Sequence, residues 1–80
     1  MPDFSNPEAV ADMERFYRSI LKHHDWSMGL CDRMALQAND PATIHGWLKF
    51  KMKIQRSKDH WLRVRAKFRA KKEAFKSANS

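Results

Sequence analysis

A seven-residue hydrophobic repeat dominates the C-terminal half of the chain. Its members are large apolar residues, namely Trp47, Ile54, Trp61, Phe68 and Phe75. A seven-residue period keeps one apolar stripe on a single face of a helix, which packs against other helices. Asn39 can end a preceding helix, Asp40 can cap the next one, and Pro41 suits a first turn. We therefore predict a long helix over residues 41–76, with a break near Ser57 as an alternative.

The N-terminal half shows a helical apolar pattern as well. Apolar side chains recur about one helical turn apart, at Val10, Met13, Phe16, Tyr17, Ile20 and Leu21. Ser5 starts a capping-box sequence before this run, so we predict a helix over residues 7–23. Asp25 can cap a second helix over residues 26–38. No glycine or proline separates the two predicted helices, so one continuous helix over residues 7–38 is the alternative.

These elements predict one all-α domain over residues 1–80, either a helical hairpin or a three-helix bundle with a long basic C-terminal helix. At 1.5 Å per residue the last helix would be roughly 54 Å long. Two short N-terminal helices cannot cover that length, which would leave an aromatic surface exposed as a protein contact. The aromatic residues concerned are Trp61, Phe68 and Phe75. We expect a protein partner or a second copy to cover them, and we predict a homo-oligomer such as a dimer.

Charge divides the chain into two unequal halves. Residues 1–40 contain four basic and seven acidic side chains, whereas residues 41–80 contain twelve basic and two acidic ones, for a net charge of +7. Such asymmetry between halves is typical of proteins that bind a polyanion. Because few acids separate the cations of the C-terminal helix, we prefer this interpretation to that of a merely solvated face.

The basic residues of the C-terminal helix flank the aromatic repeat. Lys51, Lys58, Arg65 and Lys72 form one column at seven-residue spacing, and Lys53, His60 and Lys67 line the other side. Parallel pairing of two such helices would place like charges opposite one another, so antiparallel packing on the acidic N-terminal half is favoured. The residues predicted to contact an anionic partner are Lys51, Arg56, Lys58, Arg63, Arg65, Arg69 and Lys72.

Residues 41–49, with the sequence Pro-Ala-Thr-Ile-His-Gly-Trp-Leu-Lys, resemble the recognition helix of helix-turn-helix DNA-binding proteins. The resemblance implies a supporting helix over residues 30–37 and base-facing side chains at Ala42, Thr43, His45 and Gly46. Two positions depart from the family pattern, because Ala38-Asn39 replaces the glycine turn and Met34 replaces a small residue. We favour the alternative, an ordinary capped helix start whose core residues are Ile44, Trp47 and Leu48.

Residues with catalytic or metal-binding chemistry form no recognisable set. Cys31 lies in an apolar helical stripe, where a free cysteine usually packs. The histidines lack the spacing of a metal site, and no glycine-rich phosphate loop is present. We therefore expect no enzyme activity, no cofactor and no metal. The lack of a spanning apolar run, a signal-peptide pattern and paired cysteines predicts a cytoplasmic protein without a membrane partner.

Two functions fit this combination of charge and aromatic residues. The first is a small basic binding protein that contacts the nucleic-acid backbone, DNA or RNA, through its C-terminal helix without sequence specificity. The alternative is a small modulator or inhibitor, of the kind that phages and mobile elements encode. It would dock on an acidic or nucleic-acid-binding surface of a larger protein complex. Only the alternative also requires aromatic anchors, for which Trp61, Phe68 and Phe75 are the candidates.

Overall fold

The computed structural model describes residues 3–79 and contains two helices joined by a short connection. Helix α1 spans Pro7–Gln37 and helix α2 spans Pro41–Ala78. They lie antiparallel, side by side, in a rod 59 Å long and 17 by 16 Å across. The predicted all-α hairpin is therefore confirmed, and the three-helix bundle is wrong. Residues 1, 2 and 80 of the predicted domain lie outside the described residues.

A capping side chain sets the start of each helix. The Asn6 side chain accepts hydrogen bonds from two first-turn backbone N–H groups, at 3.0 and 3.4 Å. Ser5, the predicted cap, instead donates its backbone N–H to Asp3 at 3.0 Å. Asp40 caps α2 as predicted, because its carboxylate accepts bonds from the hydroxyl and the N–H of Thr43, both at 3.0 Å. These bonds lower the pKa of Asp40.

Helix α1 continues without a break through the junction predicted between residues 23 and 26. Asp25 does not cap a helix there, because its carboxylate pairs with Lys58 of α2 at 2.6 Å. His24 donates from Nδ1 to the Ile20 carbonyl at 2.7 Å, which leaves Nε2 to accept from the Ser57 hydroxyl at 2.8 Å. Helix α2 likewise continues past Ser57. The two-helix division of residues 7–38 is therefore wrong, and the continuous alternative is right.

The aromatic repeat of α2 faces α1. Phe68 is 5% exposed, with its ring centroid 5.4 Å from the rings of both Phe4 and Tyr17. Trp61 is half-buried and packs edge-on against Phe16 at 6.0 Å. The expectation that these two side chains protrude is wrong. The continuous α1, with Phe4 folded back before it, is long enough to reach them.

The hairpin geometry differs from that of a helix-turn-helix. In that motif the two helices cross at about 90–120°. Here α2 runs back along α1, so ion pairs join Asp32 to Lys51 near the turn and Glu14 to Arg69 far from it. The resemblance of residues 41–49 to a recognition helix therefore does not extend to the fold. Of the residues expected in the core at this helix start, Ile44 and Trp47 are half-buried and Leu48 is 44% exposed.

Candidate nucleic-acid interface

One long edge of the hairpin carries a ladder of ion pairs between the helices. Lys51 Nζ lies 2.8 and 3.0 Å from the two carboxylate oxygens of Asp32, and Lys58 Nζ lies 2.6 Å from Asp25 Oδ1. The two acids are seven residues apart and so are the two lysines. Because the helices are antiparallel, moving seven residues back along α1 and seven forward along α2 leads from one ion pair to the next. We call this side the ionic edge, comprising Glu14, Asp25, Asp32, Lys51, Lys58, Arg69 and Lys72.

Glu14 forms the last rung of the ionic edge and holds two cations. Its carboxylate accepts a bond from Arg69 at 3.1 Å and another from Lys72 at 3.4 Å. The hydrogen bond from Arg69 contributes most to lowering the pKa of Glu14, and the charges of Arg69 and Lys72 act in the same direction while burial opposes them. The carboxylate side chain is 20% accessible. This rung therefore joins the start of α1 to the last third of α2.

The ionic edge contains four of the seven residues predicted to bind an anionic partner. Their charges, on Lys51, Lys58, Arg69 and Lys72, meet carboxylates of α1. Arg56, Arg63 and Arg65 form no ion pair within residues 3–79. The register of the ladder places Arg18 opposite Arg65, so this rung has a cation on both helices. The sequence-predicted set therefore divides into a paired group and an unpaired group.

A second basic surface runs along the opposite face of α2. This basic stripe consists of Lys49, Lys53, Arg56, His60, Arg63 and Lys67, all of which are exposed. Each member lies two residues before or after Lys51, Lys58 or Arg65 in the sequence. Two residues correspond to about 200° of helix rotation, so the basic stripe lies on the side of α2 opposite its ionic-edge lysines, and Lys53 of the stripe borders the groove between the helices. The first and last members of the stripe, Lys49 and Lys67, are 18 residues apart, which corresponds to about 27 Å along the helix.

Within residues 3–79 the cations of the basic stripe are not neutralised by ion pairs. None of its members takes part in a salt bridge in the described part of the chain. Asp59 is the acid of α2 within this span, and its carboxylate accepts a hydrogen bond from Gln55 at 2.9 Å. Only Arg56 and Arg63 of the stripe belonged to the predicted binding set. The members of the basic stripe follow one another at alternating intervals of four and three residues, and this pattern could be seen in the sequence. The position of the stripe relative to α1 could not.

The edge opposite the ionic edge is aromatic. Phe16 and Ser27 follow Glu14 and Asp25 by two residues each, which turns them to the other side of α1. We call this side the aromatic edge, comprising Phe16, Ser27, Trp47, Phe50, Ile54 and Trp61. Phe50 is 51% exposed and Phe16 is 48% exposed. A groove of about 310 Å³ lies between the helices beside Phe50, and a second of about 500 Å³ lies on the turn side of Phe50, lined by Thr43, Gly46 and Trp47.

Of the three aromatic residues predicted as a protein interface, only Trp61 lies on the aromatic edge. Phe68 is buried inside the hairpin, and Trp61 is half-buried. Phe75 is 38% exposed and its ring centroid lies 6.0 Å from that of Phe4. Among the described large apolar side chains the most exposed lies near the turn, where Leu36 is 86% exposed beside Leu48. Sequence reasoning missed this turn-end surface, because the apolar spacing around residues 44–48 is also that of a core.

The described residues form no metal-binding cluster. Cys31 is 1% exposed, and both ring nitrogens of His24 are engaged in hydrogen bonds within the hairpin. Among residues 3–79, no group of three or more potential protein ligands could hold a metal ion. Neither helix in that range has a segment long and apolar enough to cross a membrane.

Comparisons with protein-family models, with curated proteins and with solved structures found no match for this chain.

Proposed function

We propose that this protein binds the phosphate backbone of nucleic acid, DNA or RNA, through the basic stripe of α2. The observation that supports the proposal is a row of exposed cations without ion-pair partners on the side of α2 opposite the ionic-edge lysines. Phosphate contacts supply affinity and carry no sequence information. We therefore propose binding without sequence specificity and without catalysis.

The basic stripe makes no evident contribution to the fold. Like charges three or four residues apart destabilise a helix by a few tenths of a kcal/mol per pair. The ionic edge already provides the interhelix ion pairs, and the stripe faces away from the carboxylates of α1. A solvated face that serves only solubility usually mixes both signs of charge. A polyanion would relieve the repulsion within the stripe, which favours binding as its role.

The dimensions of the basic stripe suit a nucleic-acid backbone. About 27 Å corresponds to roughly eight base-pair steps of 3.4 Å. Five members of the stripe, Lys49, Lys53, Arg56, Arg63 and Lys67, are charged at neutral pH. If all five contacted duplex phosphates, the logarithm of the affinity would fall with the logarithm of salt with a slope near −4.5. This slope gives the proposal a quantitative test.

The experiment compares two variants that lose the same net charge. The stripe variant carries Arg56→Gln, Arg63→Gln and Lys67→Gln, and the control carries Arg18→Gln, Lys22→Gln and Arg33→Gln on α1. Binding to labelled duplex DNA and to single-stranded RNA is measured by fluorescence anisotropy over a range of salt concentrations. For the duplex we expect the stripe variant to lose about 2.7 from the slope, and the control to retain most of it.

Two results would contradict the proposal. One is a wild-type protein that binds neither nucleic acid at about 50 mM salt, where phosphate contacts are strong. The other is an equal loss of slope in both variants, which would indicate attraction by net charge without a defined surface. Circular dichroism on each variant verifies that the helices are intact, so that a loss of binding is not a loss of fold.

A second candidate function rests on the exposed turn-end surface. Leu36 is 86% exposed and lines, with Ile44 and Leu48, a groove of about 570 Å³. Exposed apolar clusters with neighbouring charge are typical of protein contacts. The chain would then be a small modulator that docks its turn on a larger complex. Leu36→Gln should abolish retention of such a partner in nuclease-treated lysate, while leaving the salt slope for nucleic acid unchanged.

A further inference from the structure

The hairpin has a thin core for its length. Among residues 3–79 the buried apolar side chains are Tyr17, Leu21, Cys31 and Phe68. The accessible surface is 6115 Å², whereas a compact monomer of 9.5 kDa exposes about 5050 Å². Chains of this size often obtain further burial from a partner or a second copy. An elongated hairpin therefore has one long side that is a candidate for such burial.

The ends of the rod are too small for a stable contact. A standard interface buries about 800 Å² on each partner. The 17 by 16 Å end of the rod has a projected area of roughly 270 Å², while a 59 by 17 Å side has roughly 1000 Å². Only side-to-side packing therefore provides enough area for a stable association.

The long sides of the hairpin differ in how they could pair with a second copy. The ionic edge would lose water around several charges, and that cost can exceed the gain from the ion pairs. The basic stripe would face the like charges of its copy. The outward face of α1 carries the exposed cations Arg15, Lys22 and Arg33. The aromatic edge offers half-buried apolar side chains and a groove, with Lys53 at its rim.

We infer that two copies of this chain pack side by side through their aromatic edges and form a four-helix bundle. In a two-fold arrangement the same surface is used on both copies, so Phe50 of each would enter the groove of the other beside Ser27. Burial of Trp47 and Phe50 would extend the core toward the turn, and burial of Phe16 would extend it beside Trp61. Lys53 lies at the rim of the groove and would border the second copy, while Lys49, Arg56 and Arg63 of the basic stripe stay on the outside of the bundle. This inference does not depend on nucleic-acid binding.

The test is the mass of the purified full-length chain, without nucleic acid, by equilibrium sedimentation. At about 100 µM, a concentration well above a micromolar Kd, wild type should have twice the chain mass of 9.5 kDa. Phe50→Glu should be a monomer with unchanged helix content. Met52→Glu is the matched control, because Met52 is 59% exposed on the same helix but lies off the aromatic edge. This control should remain a dimer.

A second edge variant keeps the test independent of the folding of Phe50→Glu. Ser27→Glu places a charge in the groove without removing an apolar contact, and it should also be a monomer. A monomeric wild type would overturn the inference and leave the groove to a different protein. A dimeric Ser27→Glu would overturn the aromatic edge as the interface, as would a Met52→Glu variant that dissociates as readily as the edge variants.

Discussion

The ammonium nitrogen of Lys58 lies 2.6 Å from a carboxylate oxygen of Asp25, near the middle of both helices. The two side chains are 24% and 57% accessible, so solvent screens the pair. Exposed pairs of this kind contribute at most about 1 kcal/mol to the free energy of unfolding. Their effect is mainly to align α1 with α2. This alignment is also what directs the basic stripe away from the acids of α1.

Arg18 and Arg65 face each other as two cations across the ionic edge, so replacing one of them with an acid should stabilise the hairpin. Arg18→Glu would place a carboxylate opposite Arg65 and should raise the free energy of unfolding by about 0.5–1 kcal/mol. Arg33→Glu makes the same charge change on the outward face of α1 and should have a smaller effect. Urea denaturation at low salt measures both. The gain in free energy of unfolding from Arg18→Glu should largely disappear near 1 M salt, where the charges are screened. An equal gain from Arg33→Glu would contradict the register that places Arg18 opposite Arg65.

Glu14 makes stability depend on acidic pH. Its pKa in the folded state is below the ordinary value of 4.5, so its contribution is fully present above that value and is lost as pH falls through the folded pKa. Glu14→Gln should therefore lower the free energy of unfolding by about 1 kcal/mol at neutral pH. The difference from wild type should shrink below about pH 4.5.

Asp12→Asn is the control for Glu14→Gln. Asp12 pairs with Arg15 on its own helix, where both side chains are 67% accessible. Its removal should leave stability nearly unchanged at neutral pH, since exposed pairs within a helix contribute little. A Glu14→Gln variant as stable as wild type at every pH would show that the two interhelix bonds of Glu14 do not stabilise the hairpin.

Local signals were sufficient to predict one helix boundary and insufficient for another. Asp40 and Pro41 act on the backbone next to them, so the start of α2 could be read from neighbouring residues. Asp25 has the same capping chemistry, but in the structure its carboxylate meets Lys58, 33 positions away. No local rule decides between a cap and an ion pair. The partner of Asp25 therefore depends on the register of α2.

The candidate site shows the same division between local and distant information. The excess of cations and the seven-residue column were visible in the sequence. Which cations are neutralised depends on the register between helices, since Lys51 and Lys58 meet acids while Arg56 and Arg63 do not. The proposed binding surface therefore contains Arg56 and Arg63 and leaves out Lys51 and Lys58, which the position of α1 pairs with acids.

The aromatic contacts far from the turn should dominate stability. Phe68→Ala removes a ring that is 5% exposed and packed between Phe4 and Tyr17, at a cost of about 3–5 kcal/mol. Phe75 is 38% exposed, so Phe75→Ala should cost about 1–2 kcal/mol. Urea denaturation followed by far-UV circular dichroism measures both. Equal costs for the two variants would contradict the placement of Phe68 in the core.

Gly29 of α1 and Gly46 of α2 allow a position outside the aromatic edge to be compared with one that lines its groove. A methyl group added at Gly29 or Gly46 meets no atom within 4 Å, so each alanine substitution should stabilise the hairpin by about 0.5–1 kcal/mol. Gly46 lines the groove of the aromatic edge, whereas Gly29 does not. The two gains should be equal in dilute protein. In concentrated protein the gain at Gly46 should be smaller, because the added methyl group would crowd a second copy.

The three-residue connection between the helices has a consequence for the order of folding. Forming the pair of Asp32 with Lys51 closes a separation of 19 residues, whereas the pair of Glu14 with Arg69 closes 55. The longer closure costs about 1 kcal/mol more in chain entropy, so the helices should join first beside the turn.

The buried aromatic contact between Tyr17 and Phe68 lies at the other end of the rod. Ile54→Ala should then mainly slow refolding, and Phe68→Leu should mainly accelerate unfolding, as stopped-flow kinetics can measure. The reverse assignment would place the nucleus at the distal end. The hairpin thus separates the residues that set how fast it forms from those that set how long it lasts.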